Sequence, residues 1–139
     1  AEPGPRLRAT VGAWSPEAAP RCAVRRRHET DSHAMLRIYQ TSLDVVRLVQ
    51  PLLLDIGRHD PDLQRQLRRA LTSVPLNIAE GSYSRGRNRN ARYANATGSM
   101  REVLAGLEVA EVLGYLALAP ELRDRIDFVI ATLVSASRA

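Results

Sequence analysis

The sequence predicts an all-α protein: an antiparallel up-down four-helix bundle with a disordered N-terminal tail. Three observations predict it. From Met35 onward, apolar residues recur at the spacing of helical faces. No segment alternates with a period of two, which argues against a sheet. The connections between the four periodic segments are short, which favours antiparallel neighbours. Hydrophobic residues make up 45% of the chain but aromatic ones only 4%, so the expected core is aliphatic. The 139 residues suit a single domain.

Residues 1–34 are assigned to a disordered or loosely docked tail, and residues 35–139 to the bundle domain. Pro3, Pro5, Pro16 and Pro20 break helical continuity in the tail, and its apolar residues follow neither period. Arg25, Arg26 and Arg27 form a charge run there that suits either solvent or a polyanion. Met35 opens the ordered part and is a candidate start of translation.

The first helix is expected from about Leu36 to Ile56, with Leu36, Tyr39, Leu43, Val46, Gln50 and Leu54 on one face. Its second half is apolar on nearly every side. Pro51 should kink it, and Gly57 is a plausible stop. The second helix opens on an N-cap at Asp60, Pro61 in the first turn and Asp62 at the positive end of the dipole. Leu63, Leu67, Ala70, Leu71, Val74 and Ile78 form its stripe. Pro75 should bend it, and Gly81 ends or loosens it. A polar, flexible connection around Gly86 follows. The third helix is expected to begin between Asn88 and Ala91, capped by Asn88 or Asn90. Tyr93, Ala96, Thr97, Met100, Val103, Leu104 and Leu107 line one face of it, and Gly114 closes it. The fourth starts at Pro120 and buries Leu122, Ile126, Val129, Ile130 and Leu133.

Charge and composition bound the function. All 20 basic residues are arginine and the net charge is +5. Exclusive arginine reflects either codon bias in a GC-rich genome or selection for bidentate phosphate contacts. One cysteine and three scattered histidines supply neither a disulfide framework nor a structural zinc site. No stretch reaches the ~18 apolar residues of a membrane span, and no leader pattern is evident. A cytoplasmic protein with no membrane association, no cofactor and no metal is expected. No nucleophile motif or glycine-rich phosphate loop points to an enzyme.

The strongest constellation is electrostatic. Between Gly81 and Arg101 there is no acidic residue, while Arg85, Arg87, Arg89 and Arg92 fall there with Tyr83 and Tyr93. Arg68 and Arg69 are expected to join them across the bundle surface. Arginine forks suit phosphates, and tyrosine stacks on unpaired bases. The competing reading is a solvated loop. Asn77 and Glu80 lie beside the Pro75 bend and are read as a structural polar network, in which side chains satisfy the carbonyl freed near residue 71. Glu111 sits in the apolar stripe of the third helix. It needs an arginine partner if buried, unless it faces the bundle end and reaches water. Val109, Val112 and Leu113 form a second apolar side of the third helix, expected to be an oligomer interface.

One long phrase is distinctive. It comprises Leu67, Arg68, Arg69, Ser73, Val74, Pro75, then Asn77, Ile78, Ala79, Glu80 and Gly81. The basic stretch then gives Arg85, Arg87 and Arg89, and after it come Tyr93, Gly98, Ser99, Glu102 and the Leu113, Gly114, Tyr115 triplet. This resembles the bacterial four-helix bundle family encoded by intervening sequences of large-subunit ribosomal RNA genes. That family is in turn similar to the accessory variability determinant of diversity-generating retroelements, a basic pentameric bundle that partners a reverse transcriptase and nucleic acid. The resemblance covers about Leu36 to Leu133 and implies a left-handed bundle and a homo-oligomer, with a pentamer as the expected ring. The family has no firmly assigned activity. The expected function is therefore non-enzymatic nucleic-acid binding, with RNA as the ligand. A protein scaffold for a reverse transcriptase or another partner is the alternative.

The tail assignment makes a direct prediction. A chain beginning at Met35 should keep its helical circular dichroism and its melting temperature. A loss above about 1–2 kcal/mol, the scale of a substantial point mutation, is the contrary result.

Overall fold

A computed structural model describes the backbone of residues 19–138 and the side chains of residues 32–138. It consists of four helices: α1 Ala19–His59, α2 Pro61–Tyr83, α3 Gly86–Val112 and α4 Pro120–Arg138. There is no strand among the described residues. Contacts join α1 to α2, α2 to α3, α3 to α4 and α4 back to α1, so the helices close a four-membered ring of neighbours. Short links make sequential neighbours antiparallel, in the up-down-up-down order expected of a bundle.

α1 is longer than its periodicity suggested. It starts inside the stretch assigned to the tail and passes through Gly57 to His59. Ser32, His33 and Ala34 are exposed, and burial begins at Ile38. Residues 1–18, with Pro3, Pro5 and Pro16, lie outside the described residues, as do the side chains of Cys22 and Arg25–Arg27.

The core face of α1 differs from the expected one. Ile38, Ser42, Val45, Val49, Leu53 and Ile56 are buried, whereas Leu36 and Leu54 are exposed. The observed stripe lies one residue, about 100°, from the predicted one. Both stripes are apolar, so spacing alone fits either. The neighbouring helices select between them. Pro51 and Pro75 both sit within uninterrupted helix. Pro51 is exposed, where water can reach the carbonyl its ring leaves unpaired.

α2 begins as its sequence dictates. Asp60 Oδ1 accepts the Leu63 N–H at 2.9 Å, and Pro61 occupies the first turn, where no N–H is needed. A single residue therefore turns α1 into α2. Its predicted stripe is buried at Leu67, Ala70, Leu71, Val74 and Ile78, with Leu63 half-buried. α3 ends in a Schellman motif. Tyr115 N–H reaches Ala110 O at 2.9 Å, Gly114 N–H reaches Glu111 O at 3.0 Å, and Gly114 takes φ +79°. Tyr115 then stacks on His59, with ring centroids 4.9 Å apart and planes 3° from parallel. That contact joins the α3–α4 connection to the end of α1.

The α2–α3 packing is the closest in the molecule. A Cβ at Gly81 would overlap the Tyr93 ring, and one at Gly106 would overlap the Leu67 side chain. Between these points Ser73 and Ser99 share a hydrogen bond of 2.9 Å. Residues 67, 73 and 81 of α2 thus oppose 106, 99 and 93 of α3, an antiparallel register held along nearly four turns. The two buried polar residues among those described are satisfied locally. Ser42 Oγ donates to Tyr39 O at 2.6 Å, and Thr97 Oγ1 donates to Tyr93 O at 2.8 Å. Each of the two contacts of α4 carries an ion pair. Arg123 meets Glu108 at 2.6 Å between α4 and α3, and Arg125 meets Asp44 at 3.9 Å between α4 and α1. These pairs are exposed and worth about 1 kcal/mol or less each.

Two glycine substitutions with opposite expected signs test the register. Gly81→Ala should lower stability in urea unfolding by about 1–3 kcal/mol, because a packed ring must move. Gly98 has open space around it. Gly98→Ala should raise stability by about 0.5–1 kcal/mol, the gain of alanine over glycine in a helix.

Candidate nucleic-acid interface

The basic stretch begins where α2 stops. Ser84 Oγ donates to Glu80 O at 2.9 Å, which satisfies a carbonyl that has no helical partner at the C-terminus, and Ser82 Oγ adds a bond to Ile78 O at 2.8 Å. Ser84 and Arg85 alone connect the helices, and Gly86, at φ +57°, turns the chain into α3. An L side chain is disfavoured at that φ, so glycine makes the tight reversal possible.

This corrects the expected start of α3. The segment is not a flexible loop capped by Asn88 or Asn90. The helix begins at Gly86, with Arg85 at the N-cap position and no side-chain cap. Glycine in the left-handed region reverses the chain in two residues, so the helix starts earlier than the asparagines suggest. Arg87, Arg89 and Arg92 are consequently helical, and the 3.6-residue period distributes them over different faces.

Arg85 and Arg89, one turn apart, line an open cleft of about 1090 Å³ with Tyr39, Tyr83 and Tyr93. Arg89 is half-buried; its Nε is buried and has no acceptor, and the neighbouring Asn90 Oδ1 is buried without a donor. Arg69 and Arg92 line a second, shallower groove on the α2–α3 face with Ser73, Asn77 and Glu80. There Arg92 pairs with Glu80 at 2.9 Å, which offsets part of its charge. Arg68 and Arg87 are exposed and line neither cavity. The six arginines are thus divided between two grooves and open surface, and only Arg69 of the α2 pair joins the groove.

The polar network is also redrawn. Asn77 Nδ2 donates to Ser73 O at 2.9 Å and to Ser73 Oγ at 3.0 Å, and Ser73 continues to Ser99. Its acceptor is Ser73, not the carbonyl near residue 71. Ser73 and Ser99 were legible only as part of the distinctive phrase, since a serine pair on two helices has no period of its own. Glu80 lines the same groove but acts through its ion pair with Arg92. Glu111 belongs to neither arrangement. It is exposed at the opposite end of the bundle, and its Oε2 accepts the Leu118 N–H at 2.6 Å. The reason is the Schellman turn, which places the α3–α4 connection directly over the last turn of α3. Of the two readings open for Glu111, the structure has the water-exposed one.

Val109, Val112 and Leu113 are 48%, 87% and 52% exposed, so they form an outward apolar surface at the C-terminal end of α3. No group of three or more His, Cys, Asp or Glu residues among the described residues is arranged as a metal site. No helix among them is long and apolar enough to cross a membrane.

The residues of the distinctive phrase now have individual roles. Ile78 fills the core, Asn77 and Ser99 belong to the α2–α3 hydrogen-bond chain, Glu80 pairs with Arg92, and Gly81 admits Tyr93. Gly114 and Tyr115 form the turn after α3. No curated protein and no solved structure is significantly similar to the chain. A family model does match, over residues 34–135. With four helices in the expected order and this phrase at their closest contact, the chain belongs to the 23S rRNA-intervening sequence protein family.

Proposed function

We propose that the protein is a non-enzymatic, homo-oligomeric helical bundle that binds RNA in the bacterial cytoplasm through the arginines around the α2–α3 turn. One observation carries the reading. The cleft at that turn is lined by two arginines and three tyrosines, with no carboxylate among its described lining residues. Arg87 adds charge from open surface one residue beyond Gly86. Guanidinium forks match phosphate oxygens, and a cationic surface without neighbouring acids attracts a polyanion over a Debye length, about 8–10 Å at ordinary salt.

The exposed Val109, Val112 and Leu113 support self-association, because an isolated bundle has no use for apolar area outside its core. Five copies in a ring is the assembly proposed, in line with the resemblance drawn from the sequence. Such a ring repeats the arginine cluster around its circumference, and several weak phosphate contacts on one strand then act together. The same apolar surface also suits a protein partner, the second reading.

Two measurements test these readings. Arg85→Gln with Arg87→Gln should weaken binding to RNA of any sequence. It should also flatten the plot of log affinity against log salt by about 0.7–0.9 for each arginine that touches a phosphate. Helicity should be unchanged, since both side chains are exposed. An unaltered affinity and slope makes the cluster a solvated surface and leaves the protein-partner reading in front. For assembly, sedimentation equilibrium at micromolar concentration should give a mass several times 15.4 kDa. Val112→Glu with Leu113→Glu should reduce that mass to the monomer's without loss of helicity.

A further inference from the structure

We infer that the cleft between α1 and the α2–α3 turn receives one unpaired nucleotide of single-stranded RNA, its base against tyrosine and its phosphate against Arg85 and Arg89. This rests on the RNA-binding reading and gives it a particular chemistry: an extruded base, not the backbone of a duplex.

The tyrosines carry the first half of the inference. Tyr93 is packed in the core under Gly81, and Tyr39 is half-buried on α1. Tyr83 is different: it lines the same cleft yet is 93% exposed at the last position of α2. Nothing in the bundle needs a ring there, and a solvated aromatic side chain gains nothing for folding. A flat ring beside a cationic groove is the arrangement by which proteins stack bases of single strands. Paired bases hide their faces in the helical stack, so a duplex cannot use such a ring.

The arginines carry the second half. Arg89 holds its Nε buried with no acceptor, a donor whose hydrogen bond the fold itself does not complete. Buried donors are almost always paired, so an anionic ligand is a fitting complement. Arg85 lies one turn away on the same cleft, and no carboxylate among the described lining residues competes with a phosphate. Ser82 and Ser84 also line the cleft. Their hydroxyl protons are committed to the Ile78 and Glu80 carbonyls, so each oxygen faces outward as an acceptor for a base amino group or a sugar hydroxyl. The volume of about 1090 Å³ accommodates one nucleotide, since small-molecule sites run to about 300–1,000 Å³.

The test compares a single-stranded RNA of about 12 nucleotides, within the span such grooves cover, with a duplex of the same sequence. Affinities for the full chain are read by fluorescence anisotropy. A second single strand carries 2-aminopurine at its centre, whose emission falls when it stacks. The single strand should bind more tightly, and the 2-aminopurine signal should be quenched. Tyr83→Leu should weaken single-strand binding about 5- to 150-fold and abolish the quenching. Its duplex affinity and salt slope should be unchanged, because no charge is lost, and its melting temperature should hold, because the ring is exposed. Equal affinity for the two RNAs, or a Tyr83→Leu variant that binds and quenches normally, overturns the base site. The phosphate reading survives that result if the arginine double variant still flattens the slope. Absence of any RNA binding overturns both.

Discussion

The close approach of α2 and α3 is the constraint on which the rest of the molecule depends. Two glycines permit it, one on each helix, and each receives a side chain from the other: Tyr93 over Gly81 and Leu67 over Gly106. Interlocking at two points separated by several turns sets the register and the antiparallel direction together. The Ser73–Ser99 hydrogen bond lies between them and joins the two helices, with Asn77 donating to Ser73 from within α2. Because the helices meet so closely at Gly81, the chain must reverse within Ser84 and Arg85, and Gly86 supplies the left-handed residue for it. The position of the arginine cluster follows from that turn. Arg85, at the N-cap, and Arg89 face the α1 side, whereas Arg92 faces α2, because α3 is already helical at Arg89 and Arg92.

The same constraint explains what the family phrase encodes. Most of its residues serve the α2–α3 contact or the turn after α3, and few point to a ligand. Family membership therefore speaks for architecture before activity. The features that suggest a ligand, namely the exposed ring of Tyr83, the unsatisfied Arg89 Nε and a cleft with no carboxylate among its described lining residues, lie in or beside the basic stretch of that phrase. Tyr83 and Arg85 are exposed and take no part in the buried core. That separation makes the binding readings testable, since variants at exposed positions change the surface without disturbing the core.

The two ends of the bundle are built differently. At one end the α2–α3 turn is short, basic and open to a cleft. At the other, Asp60 caps α2, Glu111 caps the backbone at Leu118, and His59 stacks on Tyr115. Acidic side chains there are engaged with backbone amides near a helix start or connection, where a carboxylate is favoured. The exposed Val109, Val112 and Leu113 lie toward this second end. Charge and apolar area are thus placed apart along the helix axis, so an assembly made through one leaves the other accessible.

The sequence by itself determined the four helices, the stripes of α2, α3 and α4, and the starts marked by Asp60, Pro61 and Pro120. These are local matters: a stripe with one apolar face can bury only that face, and a cap bonds within its own turn. Tertiary structure alone decided which side of α1 is the core, since a helix apolar on two adjacent faces satisfies periodicity with either. It decided that Gly81 is a contact point and not a helix end, and that Gly106 is a second contact point, because the overlap that excludes a Cβ comes from another helix. It placed Glu111 outside any buried network, because a turn several residues later brings an amide to it. It also divided the arginines, which a linear reading had grouped as one patch. Their spacing is a property of the chain, but the face each one occupies depends on where α3 begins, and Gly86 sets that start through a backbone angle made necessary by the packing of α2 on α3.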